Sequence, residues 1–138
     1  MLAKRFVIVL VVTLFSHIAF AEVVVIVHPD NSAELSAKKI QRIFLGKEKK
    51  FSDGKETIPI NQKSDAAARS EFDSGILGRS TTQVSAYWSK LVFTGKGIPP
   101  KEVDNDSAVI EIVANNPNAI GYVDAGADTG AVKKISLN

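Results

Sequence analysis

The stretch from Thr57 to Leu77, TIPINQKSDAAARSEFDSGIL, constrains the fold most, because it joins a strand directly to a helix. Its residues predict a short strand at Thr57 to Asn61, a polar turn at Gln62 to Asp65, and a helix from about Ala66. A strand that leads straight into a helix leaves several backbone N–H groups unpaired, and the positive end of the helix dipole lies beside them. The stretch therefore predicts an α/β fold with an anion-binding turn.

Strand and helix patterns surround this unit. Glu22 to His28 is rich in β-branched residues without polar alternation, which favours a strand buried on both faces, as in a parallel sheet. The order β-α-β-α-α-α-β-β predicts one α/β domain at residues 22 to 138, with a mixed sheet flanked by helices. The expected helix N-caps are Ser36, Ser80 and Asp106, the expected helix stops are Gly46 and Gly78, and the last strands are Ala119 to Val123 and Val132 to Leu137.

The N-terminus has the pattern of a secretory signal peptide. Lys4 and Arg5 precede an apolar run from Phe6 to Phe20, and Ala19-Phe20-Ala21 supplies small residues for cleavage before Glu22. The apolar run is shorter than the roughly 20 residues of a membrane-spanning helix. We therefore expect residues 1 to 21 to be removed on export.

The composition excludes several kinds of chemistry. The chain has no cysteine, which excludes disulfides, thiol nucleophiles and a lipoprotein anchor. It has 17 basic and 15 acidic residues, so loss of Lys4 and Arg5 leaves the mature chain with no net charge. A neutral chain gives no argument for nucleic acid or an anionic membrane as partner. An exported protein with neither lipid nor disulfide fits the periplasm of a Gram-negative cell.

Catalytic and metal-binding residues are scarce. His28 is the one histidine of the mature chain, so a zinc site would have to rest on carboxylates, which suit zinc poorly. No GxSxG motif accompanies it. We interpret His28 as a structural residue at the end of the first strand, and we expect a non-enzyme with no catalytic residue, metal or cofactor.

Several segments, in order along the chain, carry a family resemblance: Leu35-Ser36 with IQRIFLGK (Ile40 to Lys47), the FSDG turn (51 to 54), Pro59-Ile60 with Arg69, Phe72 and ILG, and NPNAIGYV (Asn116 to Val123). They cover nearly all of the mature chain, and IFLGK and NPNAIGYV are the more specific ones. Together they resemble the periplasmic phosphate-binding proteins of ABC-type phosphate importers. Family members with full transport function have two α/β lobes that enclose phosphate, so the resemblance implies a short, single-lobe relative.

The predicted anion-binding turn departs from the family's motif, Arg-x-x-Gly-Ser-Gly-Thr. Aligned through Phe72 and Leu77-Gly78, the arginine position is Gln62, and Gly-Ser-Gly-Thr becomes Asp65-Ala66-Ala67-Ala68. Each charge-assisted hydrogen bond lost in this way is worth about 1.5–3 kcal/mol. Asp65 is also expected to cap the helix with its own carboxylate and to repel an anion.

Two functions of different classes follow. The first is a periplasmic solute-binding-like protein that binds phosphate or a related oxyanion for ABC-type uptake or sensing. A homodimer would supply the wall that the second lobe provides in the family. Ser32 is included in the site because its loop is expected at the same sheet edge as the turn. The expected ligand-binding residues are Ser32, Asn61, Gln62, Ser64, Asp65, Ala66, Ala67, Ala68 and Arg69.

The alternative is a ligand-free interaction module of the cell envelope that kept the fold and contacts a membrane transporter, a membrane sensor or an envelope assembly. Its candidate contact segments are the lysine-rich stretches Lys47 to Lys55 and Lys96 to Lys101, although solvated loops have the same composition. Arg69 fits both hypotheses, since it is one turn into the helix and can reach a ligand or a partner.

Overall fold

The computed structural model describes residues 22 to 137, which form one α/β unit. The predicted signal peptide and its cleavage site lie outside or at the limit of these residues. The elements are β1 Val23–Val27, α1 Ala37–Phe44, β2 Ile58–Gln62, α2 Ala67–Phe72, α3 Thr81–Phe93, β3 Lys101–Val103, α4 Asp106–Asn115, β4 Ala119–Asp124 and β5 Lys133–Ile135. Helix α2 continues into a π-helical turn at Asp73–Leu77.

The five strands form one mixed sheet in the order β3-β2-β4-β1-β5. β2 is parallel to β3 and β4, whereas β1 is antiparallel to β4 and β5. The predicted mixed sheet flanked by helices is confirmed. The parallel pairing inferred from Glu22 to His28 was wrong, because a central strand covered on both faces has the same apolar composition whichever way its neighbours run.

Helices cover both faces of the sheet. Val25 and Val27 face a core cluster that includes residues of α1, α2 and α3, and Ile26 faces a second cluster with Val109 and Val113 of α4. All three β1 side chains are almost completely buried. Successive strand residues point to opposite faces, so this central strand contributes to both clusters.

Two of the three predicted helix N-caps are observed. Ser36 caps α1, and Ser80 forms a capping box with Gln83 at the start of α3. The predicted cap Asp106 was wrong by one residue, because the side chain of Asn105 accepts the hydrogen bond from Ala108 N at 3.0 Å. This shift leaves the Asp106 carboxylate free to bond elsewhere.

Strand β3 was not predicted from the sequence. Its three residues, Lys101, Glu102 and Val103, lack an apolar alternation and lie at the edge of the sheet. They become a strand by pairing with Ile60 to Gln62 of β2, which is a tertiary effect. Part of the lysine-rich segment Lys96 to Lys101 therefore belongs to the sheet.

Candidate functional site: the turn after β2

The turn after β2 and the loop after β1 lie at opposite ends of the strands, that is, on opposite sides of the sheet along the strand direction. Val27 at the end of β1 pairs with Ile120 at the start of β4, and Ile120 pairs with Pro59 at the start of β2. The carboxyl end of β1 is therefore beside the amino end of β2. The prediction that Ser32 shares an edge with the turn was wrong, and its cause is the antiparallel direction of β1.

His28 closes the turn after β1. Its Nδ1 accepts a hydrogen bond from Asp30 N at 3.1 Å, and it lies at the edge opposite the turn after β2. Within residues 22 to 137, no group of three or more histidine or acidic side chains is arranged to hold a metal ion.

Gln62, at the position of the family's arginine, is buried, and its amide nitrogen makes two hydrogen bonds within the protein. Its Nε2 donates to Asp106 Oδ1 at 2.8 Å and to the backbone oxygen of Tyr122 at 3.1 Å. Asp106 Oδ2 in turn accepts from Asp124 N at 3.3 Å. This amide therefore joins β2 to β4 and to the start of α4, and it is directed into the protein.

Asn61 is also directed into the protein, where it meets Tyr122. The Tyr122 hydroxyl donates to Asn61 Oδ1, and both oxygens accept from Gln62 N, at 2.9 Å from Asn61 and 3.1 Å from Tyr122. The Tyr122 ring stacks on Phe72 with ring centroids 3.9 Å apart. Burial raises the pKa of Tyr122, so its hydroxyl remains a neutral donor at physiological pH.

Arg69 is the largest fully buried side chain, with 2% of its surface exposed. Its Nε donates to Asp73 Oδ2 at 2.7 Å, and its Nη1 donates to the backbone oxygen of Gln62 at 2.9 Å and to Glu102 Oε1 at 3.2 Å. Burial opposes the charge of Arg69, but the hydrogen bond and charge of Asp73 more than offset it, so the pKa of Arg69 is raised. This guanidinium is a cross-link between α2, β2 and β3.

Asp73 was missed by the sequence reasoning. It has no exposed surface, and burial raises the pKa of its carboxyl although Arg69 and the hydroxyl of Thr81 lower it. Asp73 Oδ1 and Thr81 Oγ1 are both buried without a hydrogen-bond partner among the described residues. The i,i+4 spacing of Arg69 and Asp73 was the signal that could have identified the pair.

We call this set of buried and partly buried polar side chains the turn network. It consists of residues from β2, α2, the π-helical turn, α4 and β4, each bonded to another member or to their backbone. The members are Asn61, Gln62, Arg69, Asp73, Asp106 and Tyr122.

The outward side of the turn offers few side-chain donors. Ala66 is the N-cap of α2 and makes no side-chain bond, so the prediction that Asp65 caps the helix was wrong; Asp65 is exposed beside the cap. Ser64 is exposed as well, and Lys63 forms an ion pair with Asp104. An anion here would meet the first backbone N–H groups of α2, at Ala67 and Ala68, and the nearby charge of Asp65.

The end of α3 and the segment that follows it have a different character. We call the residues from Trp88 to Pro100 the α3 surface. Phe93 and Ile98 are 93% and 91% exposed, and Trp88 Nε1 is buried without a partner. Trp88 stands between two open grooves, of about 470 Å³ beside β3 and about 740 Å³ beside the end of α1.

A mixed sheet with helices on both faces is the architecture of one lobe of a periplasmic-binding-protein-like receptor. Among the described residues, no helix has the length and apolar character needed to cross a membrane. Neither a protein-family model nor a curated protein sequence matches the chain.

Solved structures do match it. They include an ABC-type phosphate transport receptor from Vibrio cholerae (15% identity, TM-score 0.63), covering 84% of this chain and 46% of that one. A second is described as a phosphate ABC transporter substrate-binding protein from Clostridium perfringens, with bound phosphate (18% identity, TM-score 0.63, 84% and 44%). A third is PstS from Borrelia burgdorferi (15% identity, TM-score 0.60, 85% and 47%).

The chain thus has the fold of one lobe of these phosphate transport receptors. It spans less than half the length of each of the three. At 15–18% identity the likeness shows the fold, and the ligand of this chain has to be argued from its own residues.

Proposed function

We propose that the chain is an exported, periplasmic protein that acts through a membrane transporter or sensor of phosphate and has little affinity of its own for phosphate. The observation that carries this proposal is the internal use of the turn network. The amide of Gln62 and three N–H groups of Arg69 are already bonded within the protein. A phosphate that recruited these groups would have to break buried hydrogen bonds, at about 1–3 kcal/mol for each group left unpaired.

The outward side of the turn adds to the argument. What it offers an oxyanion is the backbone N–H groups of α2, with the carboxylate of Asp65 exposed next to them. The site has no opposite wall within this lobe, so a bound anion would remain in water, where charge pairs contribute about 0–1 kcal/mol. The role left to the lobe is contact with a protein partner, for which the three structural neighbours suggest a phosphate transporter or sensor.

Calorimetric titration of the purified protein with inorganic phosphate tests the proposal. We expect no heat of binding and no thermal shift at millimolar phosphate. A comparison variant carries Asp65→Gly, Ala66→Ser, Ala67→Gly and Ala68→Thr, which restores the family's motif at the start of α2. We expect this variant to gain phosphate affinity, because it removes a negative charge and adds two hydroxyl donors.

Oxyanion binding by the unaltered chain is the second candidate function. It is supported by the free backbone N–H groups of α2 and by the bound phosphate of the Clostridium perfringens structure. Saturable heat with phosphate, weakened by added salt and lost in the variant Ala67→Pro, would establish it and contradict the first proposal. A variant with Ser32→Ala serves as control, since Ser32 lies at the opposite sheet edge.

The partner is tested by site-specific photo-cross-linking in the cell envelope. A photoreactive residue at Ile98, which is 91% exposed and next to Lys96, is expected to cross-link to a membrane protein. The same residue placed at Glu111, on the exposed side of α4, is the matched control. Equal products from both positions would contradict a partner site at the lysine-rich segment Lys96 to Lys101.

A further inference from the structure

The groove of about 470 Å³ lies between α3, the edge strand β3 and the Pro99-Pro100 segment. It is separate from the outward side of the turn and from the Ser32 loop. Its volume is in the range of small-molecule sites, and its walls combine apolar surface with a few polar groups. Those groups determine which ligand it fits.

A positive charge reaches the groove from inside the protein. Arg69 lines the groove, and its hydrogen bonds within the described residues use Nε and Nη1. No hydrogen bond within the described residues uses Nη2. Because Arg69 lines the groove, Nη2 is left as a charged donor for a ligand bound there.

The amide of Asn61 lies in the same wall. Its Oδ1 is taken by Tyr122 and by Gln62 N, which leaves Nδ2 to donate. Asn61 lines the groove and is only 4% exposed, so its position is fixed by the turn network. Arg69 and Asn61 thus offer donors that suit a carboxylate.

A negative charge lies beside them. Glu102 of β3 is paired in register with Asn61, and neighbouring strands are about 4.8 Å apart. Its side chain is half exposed, and Oε1 is the oxygen bonded to Arg69, which leaves Oε2 to accept from a ligand. An ammonium group next to the bound carboxylate would meet this oxygen.

The remaining wall is apolar. Val92 and Phe93 at the end of α3 and Pro99 line the groove, and Phe93 is 93% exposed when nothing covers it. Ser85 and Ser89, one helical turn apart, line the same groove. An apolar ligand side chain placed here would cover Phe93 and remove its surface from water.

We propose that this groove binds a free α-amino acid with an apolar side chain, in its zwitterionic form. The carboxylate contacts Arg69 and Asn61, the ammonium contacts Glu102, and the side chain packs on Phe93. A simple anion would be repelled by Glu102 and Asp73, and a simple cation by Arg69. A zwitterion matches both charges and leaves the net charge of the site unchanged.

Titration with L-phenylalanine and L-leucine, followed by amide chemical shifts in NMR spectra, tests this inference. We expect a dissociation constant of about 0.1–1 mM, with shifts at Asn61, Ser85, Ser89 and Glu102. 3-Phenylpropionate, which lacks the ammonium, and phenethylamine, which lacks the carboxylate, are each expected to bind at least about tenfold more weakly. Absence of saturation by either amino acid at about 10 mM, or shifts confined to other surfaces, would overturn the inference.

Two pairs of variants locate the contacts. Glu102→Gln is expected to weaken L-phenylalanine binding about tenfold and to leave 3-phenylpropionate binding no weaker, whereas Glu111→Gln on α4 has no effect. Phe93→Ala is expected to weaken binding of L-phenylalanine, and the equally exposed Ile98→Ala is its control. Unchanged affinity in both Glu102→Gln and Phe93→Ala would contradict the site. Phosphate is titrated separately, so either proposal can fail without the other.

Discussion

The turn network and the α3 surface use polar and apolar side chains in opposite ways. In the turn network, an arginine, an aspartate, an asparagine and a glutamine are nearly or fully buried, and they bond to one another. On the α3 surface, Phe93 and Ile98 are almost completely exposed, and the buried Trp88 Nε1 has no partner. Most polar groups of the turn network are thus bonded inside the protein, while apolar surface, the N–H of Trp88 and the remaining donors of Arg69 and Asn61 lie beside the grooves.

The difference between these two regions shows how a sequence pattern can predict a ligand-binding site at the wrong position. Polar residues next to a helix start predict a ligand site, but the same residues can serve as a buried frame that fixes the sheet edge. Unused bonding capacity is the better guide to binding, and in this lobe it lies along the groove beside α3.

The largest effect is expected from Arg69→Met, which should lower the free energy of unfolding by about 3–5 kcal/mol. The substitution leaves Asp73 as an uncompensated charge with no exposed surface. Urea unfolding monitored by Trp88 fluorescence measures it.

The control for Arg69→Met is an exposed ion pair. Lys63→Met removes the partner of Asp104, whose side chain is more than half exposed, and should change stability little. The double variant Arg69→Met with Asp73→Leu should recover most of the loss, since it removes the buried charge. A small effect of Arg69→Met would mean that the turn network is open to water.

The next largest effect is expected from Gly46→Ala, because Gly46 lies against Trp88 of the α3 surface. Gly46 has φ +70°, and a Cβ there would lie 2.7 Å from Trp88 Cη2. Gly97 also lies against the Trp88 ring, which leaves the ring little room to move. The left-handed backbone costs about 1–2 kcal/mol and the contact about 1–3 more. Gly95→Ala is the matched control, because it has φ +68° with open space around it. Equal losses of unfolding free energy would show that Trp88 can move and that the grooves around it are adaptable.

Much of the fold was predictable, because its signals are local. The cap at Ser36, the capping box at Ser80 and the glycine at Gly78 with φ +66° define helix ends within a few residues. β3 and the direction of β1 depend on strand pairing between distant residues. No local pattern in Lys101 to Val103 or Val23 to Val27 specifies those partners.

The candidate site was predictable only as a position in the chain. The strand-turn-helix unit was placed within a residue or two, with β2 ending at Gln62 and α2 starting at Ala67. Which way its side chains point depends on Tyr122, Asp106 and Glu102, which are 33 to 61 residues away from their partners. The Arg69–Asp73 spacing was the one local signal of an internal role.

A smaller effect distinguishes two tyrosine hydroxyls. Tyr122→Phe removes a buried hydroxyl of the turn network and should cost about 1–2 kcal/mol of unfolding free energy, while Gln62 N keeps its bond to Asn61. Tyr87→Phe removes a partly buried hydroxyl that donates to the backbone oxygen of Leu45, which water can reach in its place. We expect about 1 kcal/mol or less for Tyr87→Phe. If Tyr87→Phe lost more unfolding free energy than Tyr122→Phe, the partly buried hydroxyl would contribute more to stability than the hydroxyl in the turn network.

The smallest effect is the pH dependence of the difference in unfolding free energy between the unaltered protein and Tyr122→Phe. Burial raises the pKa of Tyr122 above its ordinary value of 10.0, so the contribution of its hydroxyl to stability is complete below pH 10 and is lost as pH rises. The reason is that the unfolded tyrosine ionises and the folded one does not, at about 1.4 kcal/mol for each pH unit above 10. Unfolding free energies of the unaltered protein and Tyr122→Phe should therefore converge by about pH 11. Because other groups that ionise in this range are common to both proteins, a difference that stayed constant from pH 8 to about pH 11 would mean that the hydroxyl ionises in the folded state. That result would place water inside the turn network and would weaken the case that its buried hydrogen bonds keep phosphate out of the turn.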